Sequence, residues 1–121
     1  MHSYSFEKLG VWQDARKFTA RMYKITADFP DVEKFGLTNQ IRRAAVSIAA
    51  NIAEGSGRVS PKDQAYFYQI AYSSTIEIMS HMFIAYDLNF IDDNKLSEVR
   101  ITLEEITNKL NALRNAALKR K

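Results

Sequence analysis

The 121-residue chain has no cysteine, only two prolines and four glycines, one tryptophan and two histidines. Without cysteine there is no disulfide framework and no thiolate-held metal. So few prolines and glycines leave few places to turn, which favours long helices over a fold of many short strands. No apolar run reaches the roughly 20 residues needed to cross a bilayer. The start, Met1-His2-Ser3-Tyr4-Ser5-Phe6-Glu7-Lys8, lacks the basic-then-apolar order of a secretion signal. A cytoplasmic protein with no membrane partner is the expectation. A large excess of one charge is also missing. Lysine and arginine total 17 against 14 acids, for a net charge of +3. Mild basicity of this kind does not by itself identify a nucleic-acid binder. The length suits one domain with a single core.

The punctuation predicts four helices, at about residues 6–28, 33–55, 61–88 and 93–118, packed as an all-α, up-and-down antiparallel four-helix bundle. In the first, Val11, Ala15, Phe18, Met22, Ile25 and Phe29 recur at spacings of four and three, an inward stripe. Phe29-Pro30 ends it, because the residue before proline is pushed out of the helical region. The second starts near Glu33, with an irregular turn at Gly36, and Gly55-Ser56-Gly57 predicts a left-handed glycine cap at its end. Ser60-Pro61-Lys62-Asp63 opens the third with a serine cap, proline at the first helical position and an acid three residues on. Asp92 or Asp93 caps the fourth, whose Leu96, Val99, Leu103, Ile106, Leu110, Leu113 and Ala117 form a regular stripe. Short connections between long helices favour alternating directions and shallow crossing angles.

Two stretches exceed what an ordinary amphipathic helix needs. Ala44 to Ala53 carries no charge and is rich in alanine, so the second helix is expected to be covered on most faces. It embeds a polar stripe, Ser47, Asn51 and Glu54, with Gln40 one heptad before Ser47; Ser74 and Glu77 lie one turn apart on the third helix. Isolated polar groups in such surroundings need partners, and hydrogen bonds across the bundle or between subunits are favoured over a ligand site. From Gln64 through Tyr86 the only formal charge is Glu77. That is more apolar surface than a lone bundle covers, so a subunit interface is expected, with Tyr68, Tyr72, Met79, Met82 or Tyr86 in it.

Together, Phe29-Pro30, Glu33-Lys34-Phe35-Gly36-Leu37, Gln40-Ile41-Arg42-Arg43, Ser47-Ile48, Asn51-Ile52-Ala53-Glu54-Gly55 and Ile70-Ala71 with Ser74 and Glu77 resemble the proteins encoded by intervening sequences of 23S ribosomal RNA, the S23-like family. The likeness runs from about Phe6 to beyond Leu88, with Ser73 where the family pattern has glycine. More distantly the chain is similar to the accessory variability determinant of diversity-generating retroelements. The resemblance implies a ring-shaped homo-oligomer of five subunits, association with RNA or DNA, and a protein partner such as a reverse transcriptase.

No catalytic constellation emerges from the residues themselves. His2 and His81 are far apart, no Glu-x-x-His pair or histidine pair stands at metal spacing, and no phosphate-loop lysine is present. Neither a metal nor a cofactor is expected. Gly55-Ser56-Gly57-Arg58 offers an anion site in principle, but a helix cap followed by a turn explains it without a ligand. Lys17, Arg21 and Lys24 share a face of the first helix, with Arg16 beside them; Arg42, Arg43 and Arg58 complete the candidate nucleic-acid contacts. The reading is a non-enzymatic scaffold associated with nucleic acid. The alternatives are a protein-binding adaptor and an enzyme of unknown type.

Overall fold

The computed structural model describes residues 2–120. Its elements in chain order are a 3-10 turn at Ser5–Lys8, α1 at Gly10–Thr26, a 3-10 turn at Asp31–Glu33, α2 at Leu37–Ser56, α3 at Pro61–Asp87 and α4 at Asp93–Lys119. No strand occurs among the described residues.

Direct contacts fix the directions of the helices. Thr19 Oγ1 donates to the Ala45 carbonyl at 3.1 Å and Arg42 Nε to Thr26 Oγ1 at 2.8 Å, so α1 and α2 run oppositely. Ser74 Oγ meets Ser47 Oγ at 2.9 Å while Tyr68 lies against Gly55, so α2 and α3 also run oppositely. On α4, Arg114 meets Gln69 and Arg100 stacks near Phe83, which sets α4 against α3. Lys109 with Asp14, at 2.5 Å, and Arg21 with Glu98, at 2.7 Å, close the circle antiparallel between α4 and α1. The result is the expected up-and-down, four-helix arrangement. Its centre holds Phe18 and Met22 of α1, Ile41, Ile48 and Ile52 of α2, Ile78 and Met82 of α3, and Val99, Ile106 and Leu110 of α4, all essentially inaccessible to solvent.

The ends of the helices differ from expectation in three places. The first segment is broken at Leu9, whose backbone is extended (φ −80°, ψ 120°), leaving Ser5–Lys8 as a separate turn. The Glu7 carboxylate accepts the Tyr4 N–H at 2.7 Å, and Gln13 Nε2 donates to the Glu7 carbonyl, so local polar bonds take the place of helical ones. The second helix begins at Leu37 rather than near residue 33, because Gly36 departs from the helical path (φ −114°, ψ −117°). Glu33 then serves the helix from outside it, its carboxylate accepting the Leu37 N–H at 3.1 Å.

The third difference concerns Gly55. It lies inside α2 and is buried, and the cap is Gly57, in a right-handed conformation (φ −91°). A side chain at Gly55 would collide with Tyr68, so the residue is glycine to admit an aromatic ring rather than to turn the chain. The left-handed cap occurs instead after α3. Asn89 has φ 62°, its N–H donates to Tyr86, and the Phe90 N–H reaches the Ala85 carbonyl at 2.8 Å, the paired bonds of a Schellman ending. Phe90 then packs its ring 5.2 Å from that of Phe29, joining the two loops at this end of the bundle.

The predicted starts of the third and fourth helices hold. Ser60 Oγ accepts the Asp63 N–H at 3.2 Å with Pro61 at the first position of α3, and Asp92 Oδ1 accepts the Lys95 N–H at 2.8 Å at α4.

Candidate functional site

The polar stripe of α2 meets that of α3 at one place. Asn51 Nδ2 donates to the Ser47 carbonyl and to Ser47 Oγ, both at 2.9 Å, and Ser74 Oγ bonds to the same hydroxyl. Three side chains thus satisfy one another between two closely packed helices. Each such bond contributes roughly 0.5–1.5 kcal/mol net, and an unpaired group would cost more. Glu54 and Glu77 stay outside this network. Arg58 Nη2 lies 3.6 Å from Glu54 Oε1, and His81 Nε2 lies 3.1 Å from Glu77 Oε2, each pair one turn apart on its helix. The other ring nitrogen of His81 is buried without a partner. Asn39, Gln40, Arg43, Ser47, Ser74 and Glu77 line a shallow polar groove along the α2 and α3 seam.

The seven candidate nucleic-acid contacts do not form one patch. Lys17 and Lys24 are exposed on the outer face of α1. Arg21, on the same stripe, is held by Glu98 at 2.7 Å, and lies beside Thr102 of α4. Arg16 stacks 5.6 Å from the Trp12 ring. Arg42 is occupied by the α1 and α2 seam: it donates to Thr26 Oγ1 and to the Tyr23 carbonyl, with its guanidinium 4.6 Å from the Tyr23 ring. Arg43 is exposed at the polar groove across α2 from it. Arg58 lies at the other end of α2, 4.5 Å from the Phe67 ring and beside Glu54, so the Gly55-Ser56-Gly57-Arg58 turn folds its cation onto the protein. Among the described residues, Arg16, Lys17, Lys24, Arg42 and Arg43 have no ion-pair partner, but the N–H groups of Arg42 are taken by Thr26 and Tyr23.

The expected interface residues of α3 divide into two groups. Tyr68 is 4% exposed and Met82 is 0% exposed, so both belong to the chain's own interior and neither is available to a second subunit. Tyr72 and Met79 pack partly against the core, and Tyr86 is half-buried. Apolar residues on the outer side of the helix are others: Ile76 at 51%, Phe83 at 41% and Ile84 at 46% exposed, with Tyr66 and Leu88 towards its ends. Charge-poverty in α3 therefore has two causes, since α2 and α4 cover its flanks and an apolar outer face remains. Ser73, where the resemblance leads to an expectation of glycine, is exposed. α2 is less covered than its composition suggested. Val46 is 46% exposed, and Ala50 and Arg43 share that outward side.

Burial pushes the Tyr68 phenol above the usual tyrosine value, with Arg120 pulling the other way. The hydrogen bond to Asp14, reinforced by its negative charge, holds the Lys109 ammonium above the usual lysine value. Among the described residues, no three His, Asp or Glu side chains are grouped to hold a metal. No helix among them is long and apolar enough to cross a membrane. The contact that composition did not reveal is Tyr68 over Gly55, which only the pairing of α2 with α3 creates.

A family model described as 23S rRNA-intervening sequence protein matches residues 7–112. The fold is similar to the crystal structure of a protein with unknown function from the S23 ribosomal protein family of Bacteroides thetaiotaomicron. The TM-score is 0.77 at 22% identity, over 86% of this chain and 97% of that one. No curated protein matches the chain significantly.

Proposed function

Because the chain belongs to the 23S rRNA-intervening sequence protein family, we propose that it is a non-enzymatic cytoplasmic scaffold that self-associates, as a ring of five subunits, and associates with nucleic acid. The observation that carries self-association is the outer side of α3, where Ile76, Phe83 and Ile84 stand exposed within two turns. Apolar groups so gathered favour burial against another surface, and a second copy offers one rimmed by α2, with Val46 exposed and the polar groove of Arg43 and Glu77 alongside.

Nucleic-acid association rests on Arg16, Lys17, Lys24 and Arg43, whose charges are not spent within the chain. One copy offers too few and too scattered cations for tight binding. A ring repeats each of them, and linked weak contacts gain through effective concentration. Binding of this kind is steeply salt-dependent and weak in sequence preference. The test is fluorescence binding to mixed RNA and DNA at about 50 and 200 mM salt, a range over which phosphate-driven affinity falls steeply. Lys17→Gln with Lys24→Gln is expected to weaken binding to all sequences while leaving the oligomer intact. Arg21, on the same face, is left unchanged because it is occupied by Glu98.

A protein-binding adaptor is the second reading, with a reverse transcriptase as one such partner. It is favoured by the internal use of Arg21, Arg42 and Arg58, which removes three of the seven candidate cations. Absence of any binding at the lower salt would put it first.

A further inference from the structure

We propose that the cleft at the Tyr68 end of the bundle is a binding site for a small organic carboxylate with a short apolar body. The cleft has a volume of about 300 Å³ and lies where the N-terminal turn, the end of α2, the start of α3 and the end of α4 meet. That is the small end of the range for ligand pockets, roughly 300–1,000 Å³. Leu9, Leu113 and Ala117 form its apolar walls.

Its polar groups are not equally available. Ser56 Oγ donates to the Ala53 carbonyl at 2.8 Å, and Ser5 Oγ bonds to Ser56. Gln64 Nε2 donates to the Arg58 carbonyl at 2.8 Å. Two strong donors lining the cleft are left, the Tyr68 phenol and the Arg120 guanidinium. Tyr68 is 4% exposed, yet its hydroxyl makes no hydrogen bond to any described residue. A buried phenol ordinarily has a partner. The cleft is the space that the Tyr68 side chain lines. No carboxylate among the described residues pairs with Arg120.

Charge then selects the ligand. One guanidinium with no acid beside it in the lining matches a single negative charge. A phosphate monoester carries about −1.5 to −2 at neutral pH and would leave charge uncompensated in a partly apolar space. A carboxylate carries one charge and offers two acceptor oxygens, one for the guanidinium and one for the phenol. A phenol titrates at about 10, well above neutral pH, and burial raises it further, so it donates.

The test uses the full-length protein, isotope-labelled for amide spectra, titrated separately with hexanoate, benzoate, 1-hexanol and hexylamine. Saturable shifts are expected at the amides of Ser56, Gly57 and Ala117 for a carboxylate and not for the alcohol or the amine. Arg120→Gln is expected to weaken the affinity by about tenfold and Tyr68→Phe by about fivefold, as loss of a charge-assisted bond does. Tyr68→Phe retains the ring over Gly55, and Arg120 is exposed, so both variants keep the fold; circular dichroism checks this. The proposal is overturned if neither carboxylate shifts these amides, if hexylamine shifts them equally, or if both variants bind as the parent does.

Discussion

Replacement of Gly55 by alanine tests the close contact between the end of α2 and the start of α3. The new methyl would lie 2.7 Å from Tyr68 Cε1, 3.0 Å from Tyr68 Cδ1 and 3.1 Å from Phe67 Cβ. Carbon atoms pack comfortably at about 3.5–4.0 Å, so something must move. Tyr68 is 4% exposed and packs with Ala65 and Ala117, so moving its ring disturbs those contacts. Overpacking of this kind costs about 1–3 kcal/mol. Against it stands the gain of about 0.8–1.0 kcal/mol for alanine over glycine inside a helix. The clash wins, for a net loss of up to about 2 kcal/mol. Gly57→Ala is the control. Its nearest atoms are helix carbonyls at 3.7 and 3.9 Å, so it should be neutral or slightly stabilising. Urea melts followed by far-ultraviolet circular dichroism, at one fixed protein concentration because assembly shifts apparent stability, give both values. Combination with Tyr68→Leu should shrink the cost of Gly55→Ala. If Gly55→Ala is as stable as the parent, the close approach of Tyr68 to α2 is not what the geometry indicates.

Ser60→Ala removes the acceptor for the Asp63 N–H and should lower stability by about 1 kcal/mol in the same melts. Aspartate at Ile76 should leave the chain folded while lowering its mass in light scattering, because Ile76 is exposed; at Met82, which is fully buried, it should unfold the chain instead. Folding of Met82→Asp, or unchanged mass in Ile76→Asp, would contradict that division of α3. The Lys109 pair with Asp14 raises the lysine value in the folded state. Its stabilisation is therefore complete below the unfolded lysine value of about 10.4 and is lost as pH rises through the higher folded one. Lys109→Gln should flatten this alkaline loss, most visibly at low salt, since Lys109 is exposed and Asp14 partly so. An unchanged profile would remove the pair from the account.

Local chemistry made the helix starts legible: Ser60 with Pro61, and Asp92, act through bonds within a few residues. The inward stripes of α1 and α4 were legible for a similar reason, because a helix with one buried face repeats at a fixed spacing. Contacts between distant segments were not. Gly55 read as a cap because glycine commonly ends helices, whereas its cause is a ring from α3 on the next helix. Tyr68 and Met82 could not be told from Ile76 and Ile84 by composition, since α3 is apolar on covered and uncovered sides alike. The cations of Arg21 and Arg42 looked available until α4 and α1 supplied Glu98 and Thr26. Ser47, Asn51 and Ser74 were correctly read as needing partners, but which of them meet is decided by the register between helices.

The most direct test of the scaffold is the mass of the purified full-length chain in multi-angle light scattering at micromolar concentration. A ring of five subunits predicts one species of five times the 13.9 kDa chain mass, persisting on dilution through the micromolar range. A species at the mass of a single chain throughout that range would contradict it, and the exposed outer side of α3 would then need another occupant.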